Sequence, residues 1–349
     1  MKRFGFTRLT CSEVGFACLA LLCLGCGSPQ ESNRGPTAST TLDSAAHFDA
    51  LIVASPNDPQ LYVDRAAWHL RQARIAEGLM DLNLALEADS TFAPAWSAKA
   101  DALYLTQAFE PCIEHLDACL EVAPDHVPCL LRRAEMHIHL RQYPEAFARL
   151  NDVLRTDMLN AEAYWMKGII YKDQGNAENA RSSFQTAVEV DPDFYDGYIA
   201  LGLACAEAND TLAIGYYETA MRLKPRSVEA RYDLAYFLQE CRPLNPVYLE
   251  RALDLYRSIS AIDSMNAAAA FNRGYIHLEY LQQYDSAALH FTEAIDVLPY
   301  YHQAFFNRGL SHESLGLVAE AESDYRQALG LKPDFTPAAM ALERVLATP

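Results

Sequence analysis

The chain has 349 residues, with 28 Lys and Arg against 46 Asp and Glu, for a net charge of −18. That balance argues against a nucleic-acid partner, because recognition of a phosphate backbone needs a basic footprint and the sequence offers none. It reads first as a solvated, self-repelling surface and second as an acidic groove for a basic partner.

The amino terminus comes first. Lys2, Arg3 and Arg8 precede Val14–Gly25, an uncharged stretch of 12 residues. A bilayer crossing takes about 20, so the pattern predicts an export signal. Leu22-Cys23-Leu24-Gly25-Cys26 resembles the box cut by bacterial lipoprotein signal peptidase, with Cys23 standing where leucine is usual. The resemblance implies a signal peptide over 1–25 and a diacylglyceryl thioether on Cys26. Cleavage then precedes Cys26, and the new amino terminus is acylated. Cleavage by the ordinary signal peptidase and an uncleaved anchor are the alternatives. Gly27-Ser28 lacks the aspartate that would retain a lipoprotein at the inner membrane. The expected location is therefore the bacterial cell envelope, lipid-anchored at the outer membrane and facing the periplasm. Residues 26–42, rich in Ser, Thr, Pro and Gly, bury too little to fold and read as a tether.

After the tether, a pattern recurs at about 34 residues. Its clearest copy runs Tyr164-x-x-Lys167-Gly168-x-x-Tyr171, Ala180-x-x-x-Phe184-x-x-Ala187 and Asp191-Pro192. Later copies contain Asn272-Arg273-Gly274 with Ala287, Phe291 and Ala294, and Asn307-Arg308-Gly309 with Ala321, Tyr325 and Ala328. The spacing predicts helix pairs. Small residues (Ala66, Ala100, Ala134, Gly168, Gly202, Ala235, Gly274, Gly309) let the first helix approach the second. Residues such as Ala180, Phe184 and Ala187 fall on one face of the second. Pro192, Pro225, Pro299 and Pro333 are expected to stop it.

This pattern resembles the tetratricopeptide repeat. The resemblance implies an all-α fold, a right-handed superhelical solenoid of antiparallel helix pairs. Eight units are counted: 59–92, 93–126, 127–160, 161–194, 195–227, 228–266, 267–301 and 302–335. The fifth is one residue short and the seventh one long. The sixth has about five extra residues at 241–247, whose two prolines predict a protruding loop. Residues 43–58 read as an amino-terminal capping helix, and 336–349 as a closing helix and tail.

In that family the first helix of each unit lines the concave face. Carried over, its lining positions include Tyr104, Trp165, Ile199, Tyr232, Tyr236, Phe271, Asn272, Tyr275, Phe306 and Asn307, an apolar and aromatic groove for a protein or peptide. Packing between units is the alternative role for such residues. For Asn272 and Asn307, reading of a peptide backbone stands beside ordinary capping and surface duty.

Catalytic signatures are missing: there is no His-Glu-x-x-His, nucleophile elbow, phosphate loop or dinucleotide fingerprint. His137 and His139 are two apart on a helix and diverge, while His277 and His312 share a repeat position and read as packing residues. Cys112, Cys119, Cys129, Cys205 and Cys241 lack metal spacing. Cys112, Cys119 and Cys205 read as small buried side chains, with a Cys119–Cys129 bridge across one turn as an alternative. The expected function is a non-enzymatic scaffold, with no cofactor, metal or small-molecule substrate. The alternatives are a structural subunit of a secretion, pilus or outer-membrane complex using outer surfaces, and a peptidoglycan or glycan module.

Overall fold

The computed structural model describes residues 45–241 and 245–347. The export signal, Cys26 and the tether lie outside the described residues. Within them the chain is a right-handed all-α solenoid without strands. Helix α1 (Ala45–Ala54) leads into helix pairs α2 (Pro59–Arg71) with α3 (Ile75–Ala88), and α4 (Ala93–Leu105) with α5 (Phe109–Val122). Next come α6 (Val127–His139) with α7 (Tyr143–Thr156), α8 (Ala161–Asp173) with α9 (Ala177–Val190), and α10 (Tyr195–Glu207) with α11 (Leu212–Leu223). Then α12 (Val228–Cys241) pairs with α13 (Pro246–Ile262), α14 (Ala267–Tyr275) with α15 (Tyr284–Val297), and α16 (His302–Ser314) with α17 (Val318–Leu331). Helix α18 (Thr336–Leu346) packs Ala338, Ala341 and Val345 onto the last pair.

Each pair is held by one large side chain on its second helix: Leu82, Leu116, Leu150, Phe184, Tyr217, Tyr256, Phe291 and Tyr325 are all fully buried. Burying a side chain of this size contributes about 1.5–3 kcal/mol. Opposite it stands the small residue of the first helix. Where that residue is glycine, the partner is an aromatic ring.

Among the described residues, the turn inside seven of the eight pairs has a fixed form. One residue takes the left-handed conformation, at Ala73, Gln107, Arg141, Gly175, Asn209, Gln282 and Gly316. It lies fourteen residues after the start of the first helix in every described case but Gln282, which lies fifteen after Ala267. The seventh unit absorbs its extra residue there, as a π-helical segment over Ile276–Leu281 that continues α14. Such wider turns accommodate single insertions in a helix.

Two sequence expectations change. Second helices end on aspartate as well as proline: Asp89, Asp157, Asp191 and Asp263 each accept the backbone N–H two residues on. These short local bonds compete with the helical ladder and end it. The pair α6–α7 therefore needs no proline, and Asn160 then caps α8 by accepting from the Ala163 N–H. In the sixth unit, Pro246 does not break a helix but starts one. Asn245 accepts the Val247 N–H and Pro246 occupies the first turn, where its missing N–H costs nothing. Much of the inserted sequence thus lengthens α13; residues 242–244 lie outside the described residues.

Candidate functional site: the concave face

First helices of neighbouring units touch one another in the series α2, α4, α6 and α8 and again between α10 and α12. Successive second helices make no comparable contact among the described residues, so the array curves with the first helices inside. Side chains on this inner side meet either solvent or the neighbouring unit, and the choice decides which can bind.

Four expected groove residues are spent on packing. Ile199 is 7% exposed, Phe306 4%, Asn272 8% and Asn307 8%. Phe306 sits edge-on to Phe335, with ring centroids 5.3 Å apart. The Asn272 Nδ2 donates to the Tyr232 hydroxyl of the preceding unit at 3.0 Å, and the Asn307 Nδ2 donates to the Gln303 carbonyl at 3.0 Å. Each amide nitrogen is thus committed inside the array, and burial leaves these side chains little surface with which to read a peptide backbone.

Six rings stay at least partly open. Tyr236 is 40% exposed, and Tyr104, Trp165, Tyr232, Phe271 and Tyr275 are half-buried. Their edges are braced: Phe271 stacks on Tyr301 at 4.9 Å, Trp165 meets Phe194 edge-on at 6.3 Å, and Tyr275 meets Tyr280 at 5.9 Å. Rings fixed in this way lose little freedom on contact with a partner.

At the amino-terminal end, polar groups surround Tyr104. Its hydroxyl donates to Glu135 at 3.3 Å, and the Arg132 guanidinium lies over its ring at 4.9 Å. Arg132 donates to Asp101 at 2.8 Å and pairs with Glu135. His139 lies 3.2 Å from the Tyr104 hydroxyl, while buried His137 turns away to Gln142 at 2.8 Å. The two histidines diverge as their spacing requires.

Sequence reasoning passed over one row. The second residue of each first helix is acidic in three consecutive units: Glu162 on α8, Asp196 on α10 and Glu229 on α12. Glu229 accepts the Tyr195 hydroxyl at 3.0 Å. Asp233 lies one turn beyond. Loss of water against the wall pushes the Glu162 carboxyl up even though its side chain touches solvent; Glu135, Asp196 and Asp101 add repulsion and Arg132 opposes it. Desolvation, and after it Glu229, pushes Asp233 up to about 7. The signal was present as carboxylates at repeat spacing but is hidden within an acidic total charge.

The cysteines also depart from the simple reading. Cys119 and Cys129 are joined in a disulfide linking the end of α5 to the start of α6, with Cα atoms 6.6 Å apart. Packing places them face to face across the inter-unit turn, which helical register alone did not fix. The His126 Nδ1 lies 3.2 Å from the Cys129 sulfur and 3.6 Å from that of Cys119. The trio is compact enough to hold a metal, but the bridge commits both sulfurs to each other. Cys112 and Cys205 are buried thiols, and burial pushes Cys112 up to about 11.

Residues 161–194 and 277–334 match family models described as tetratricopeptide repeat. The chain carries tetratricopeptide repeats. Among curated relatives, human DnaJ homolog subfamily C member 7 is 26% identical over 228 residues, 63% of this chain and 40% of that protein. Hsp70-Hsp90 organizing protein 2 of Arabidopsis thaliana is 29% identical over 84 residues, 24% of this chain and 15% of that protein. The chain thus spans two fifths or less of the curated relatives it matches. A chain of the APC/C hetero-tetramer Cut9-Hcn1 superposes with a TM-score of 0.51 at 15% identity, over 86% of this chain and 58% of that one, a likeness of fold alone.

Proposed function

We propose that this tetratricopeptide array is a non-catalytic scaffold that takes a protein or peptide segment on its concave face. The observation carrying this reading is the open row of rings, Trp165, Tyr232, Tyr236, Phe271 and Tyr275, most of them braced by neighbouring rings, on consecutive or near-consecutive first helices. Apolar groups that a fold leaves in contact with water, held rigid and set in a curve, suit the buried centre of an interface. The relatives include a protein named as an Hsp70-Hsp90 organizer, and that name supports protein partners as the class of ligand. In the same reading, a lipid on Cys26 holds the scaffold in the bacterial envelope, with the groove held off the membrane by the tether.

Crosslinking on membranes of the native host, comparing the natural chain with Tyr236→Ala/Tyr275→Ala, tests the proposal. Loss of the dominant crosslinked protein from the variant is expected. Its persistence, with the helical content unchanged, would move binding to the outer helices and make the protein a structural subunit.

A further inference from the structure

We propose that the concave groove selects a cationic segment, a peptide whose Lys or Arg side chains alternate with apolar anchors. This rests on the concave face being the binding surface, and it names the chemistry of what binds there.

The Asp101 and Glu135 carboxylates share Arg132, so the first stretch of the groove is largely satisfied from within. Beyond it cations are few. Glu162, Asp196 and Asp233 have no hydrogen bond or ion pair among the described residues. Glu229 accepts the hydroxyl of Tyr195, itself held by Ser227 at 2.7 Å, and the Lys224 ammonium, over the Tyr195 ring at 3.8 Å, offsets part of its charge. Lys172, on the same side of α8, is paired with Glu207 at 3.0 Å.

The carboxylates also have a spacing. Glu162, Asp196 and Glu229 occupy one position on three successive first helices, so they form a rail along the groove. The aromatic and aliphatic row of Trp165, Leu203, Tyr232 and Tyr236 runs beside it. A ligand following the groove therefore meets an apolar strip and an anionic strip together. Loss of water is the main cause of the raised carboxyls of Glu162, Glu229 and Asp233, and like charges on the same low-dielectric wall, which repel one another when the groove is empty, raise them further. Ammonium or guanidinium groups relieve that repulsion, whereas acidic segments add to it. Charge complementarity of this kind sets both selection and encounter rate.

The test uses the purified full chain and three synthetic peptides of one length, with Leu alternating with Lys, with Ser or with Glu. Binding is followed by fluorescence anisotropy. Two variants of equal charge change are compared: Glu162→Gln/Asp196→Asn/Glu229→Gln in the groove, and Glu178→Gln/Glu189→Gln/Glu250→Gln on second helices. The Lys peptide is expected to bind best, to weaken with salt, and to lose about tenfold or more only in the groove variant. Equal binding of the Ser and Lys peptides, both lost in Tyr236→Ala/Tyr275→Ala, would overturn the charge selection and leave the concave site standing. Equal loss in both charge variants would mark unspecific attraction and overturn the proposal. Binding untouched by any groove substitution would overturn the concave site itself.

Discussion

Gly168 and the Phe184 ring stand so close that a Cβ added to the glycine would lie 2.4 Å from Cε1 of the ring. The same contact recurs between Gly202 and Tyr217, Gly274 and Phe291, and Gly309 and Tyr325. In the three amino-terminal pairs the positions hold Ala66 with Leu82, Ala100 with Leu116, and Ala134 with Leu150. The two residues divide one volume: in four pairs a ring lies on glycine and in three a Leu leaves room for a methyl, while the sixth pair sets Ala235 with the Tyr256 ring.

Gly168→Ala is accordingly expected to cost about 1–3 kcal/mol, the usual range for overpacking a filled core. Phe184→Leu alone is expected to open a small void and also destabilise. The double variant reproduces the pairing of Ala134 with Leu150 and should be less harmful than the two single losses added together. Urea unfolding of the four proteins gives the coupling directly. Additive losses would mean that the two sites do not share the volume.

The turns between paired helices provide an independent prediction. Gly175 adopts its left-handed φ of 74° with nothing within 4 Å of an added Cβ, so Gly175→Ala isolates conformational strain. It should cost about 0.5 kcal/mol net, the left-handed penalty of about 1 kcal/mol for an L-residue less the smaller freedom of alanine in the unfolded chain. Ala73, exposed at the same turn position with φ 57°, already bears that penalty. Ala73→Gly should relieve it, with a net gain of about 0.5 kcal/mol after the greater freedom of glycine in the unfolded chain. Thermal unfolding of the two variants should shift in opposite directions.

Much of this architecture was legible because each repeat states its own packing rule. Gly168 and Phe184 sit in a pattern whose period places them together, and the fold places the ring on the glycine. What lay between units was harder to read. Asn272 faces Tyr232, forty residues earlier, and its burial depends on the rotation of one unit against the next. The same rotation closes over Ile199 and Phe306 while leaving Tyr236 open. The extra residue of the seventh unit was countable, but whether it would enlarge a loop or widen a helix was set by competing hydrogen bonds around Ile276–Leu281.

The Cys119–Cys129 bridge closes a short loop, with a sequence separation of 10, across the junction of two units. By loop-closure entropy, its removal is expected to cost about 2–3 kcal/mol. Cys119→Ser/Cys129→Ser should lower the unfolding midpoint by a corresponding amount. Hydrogen exchange should accelerate first in α5 and α6, because a solenoid transmits stability mainly between neighbours. Mass analysis of alkylated natural protein should find Cys119 and Cys129 protected until reductant is added. Their modification without reductant would contradict the bridge.

Asp233 gives the pH prediction. Its carboxyl is pushed from an ordinary 3.8 up to about 7 by loss of water, and secondarily by Glu229; Tyr232, Tyr236 and the buried Tyr256 stand nearby. The folded protein therefore keeps a proton that the unfolded chain has released above about pH 4. Stability from this group is present below that pH and is lost progressively as pH rises through about 7. Asp233→Asn removes the charge that the groove cannot solvate. It should stabilise the protein at pH 8 by about 1–2 kcal/mol, a figure discounted for residual solvent on the groove side. At pH 4, where the aspartate is already protonated in the fold, the two proteins should be nearly alike. Unfolding midpoints at the two pH values measure the difference, and an equal shift at both would assign the effect to something other than the carboxylate's charge. A bound Lys peptide should shrink the pH 8 advantage of the asparagine variant, since an ammonium beside Asp233 supplies the partner that the empty groove lacks.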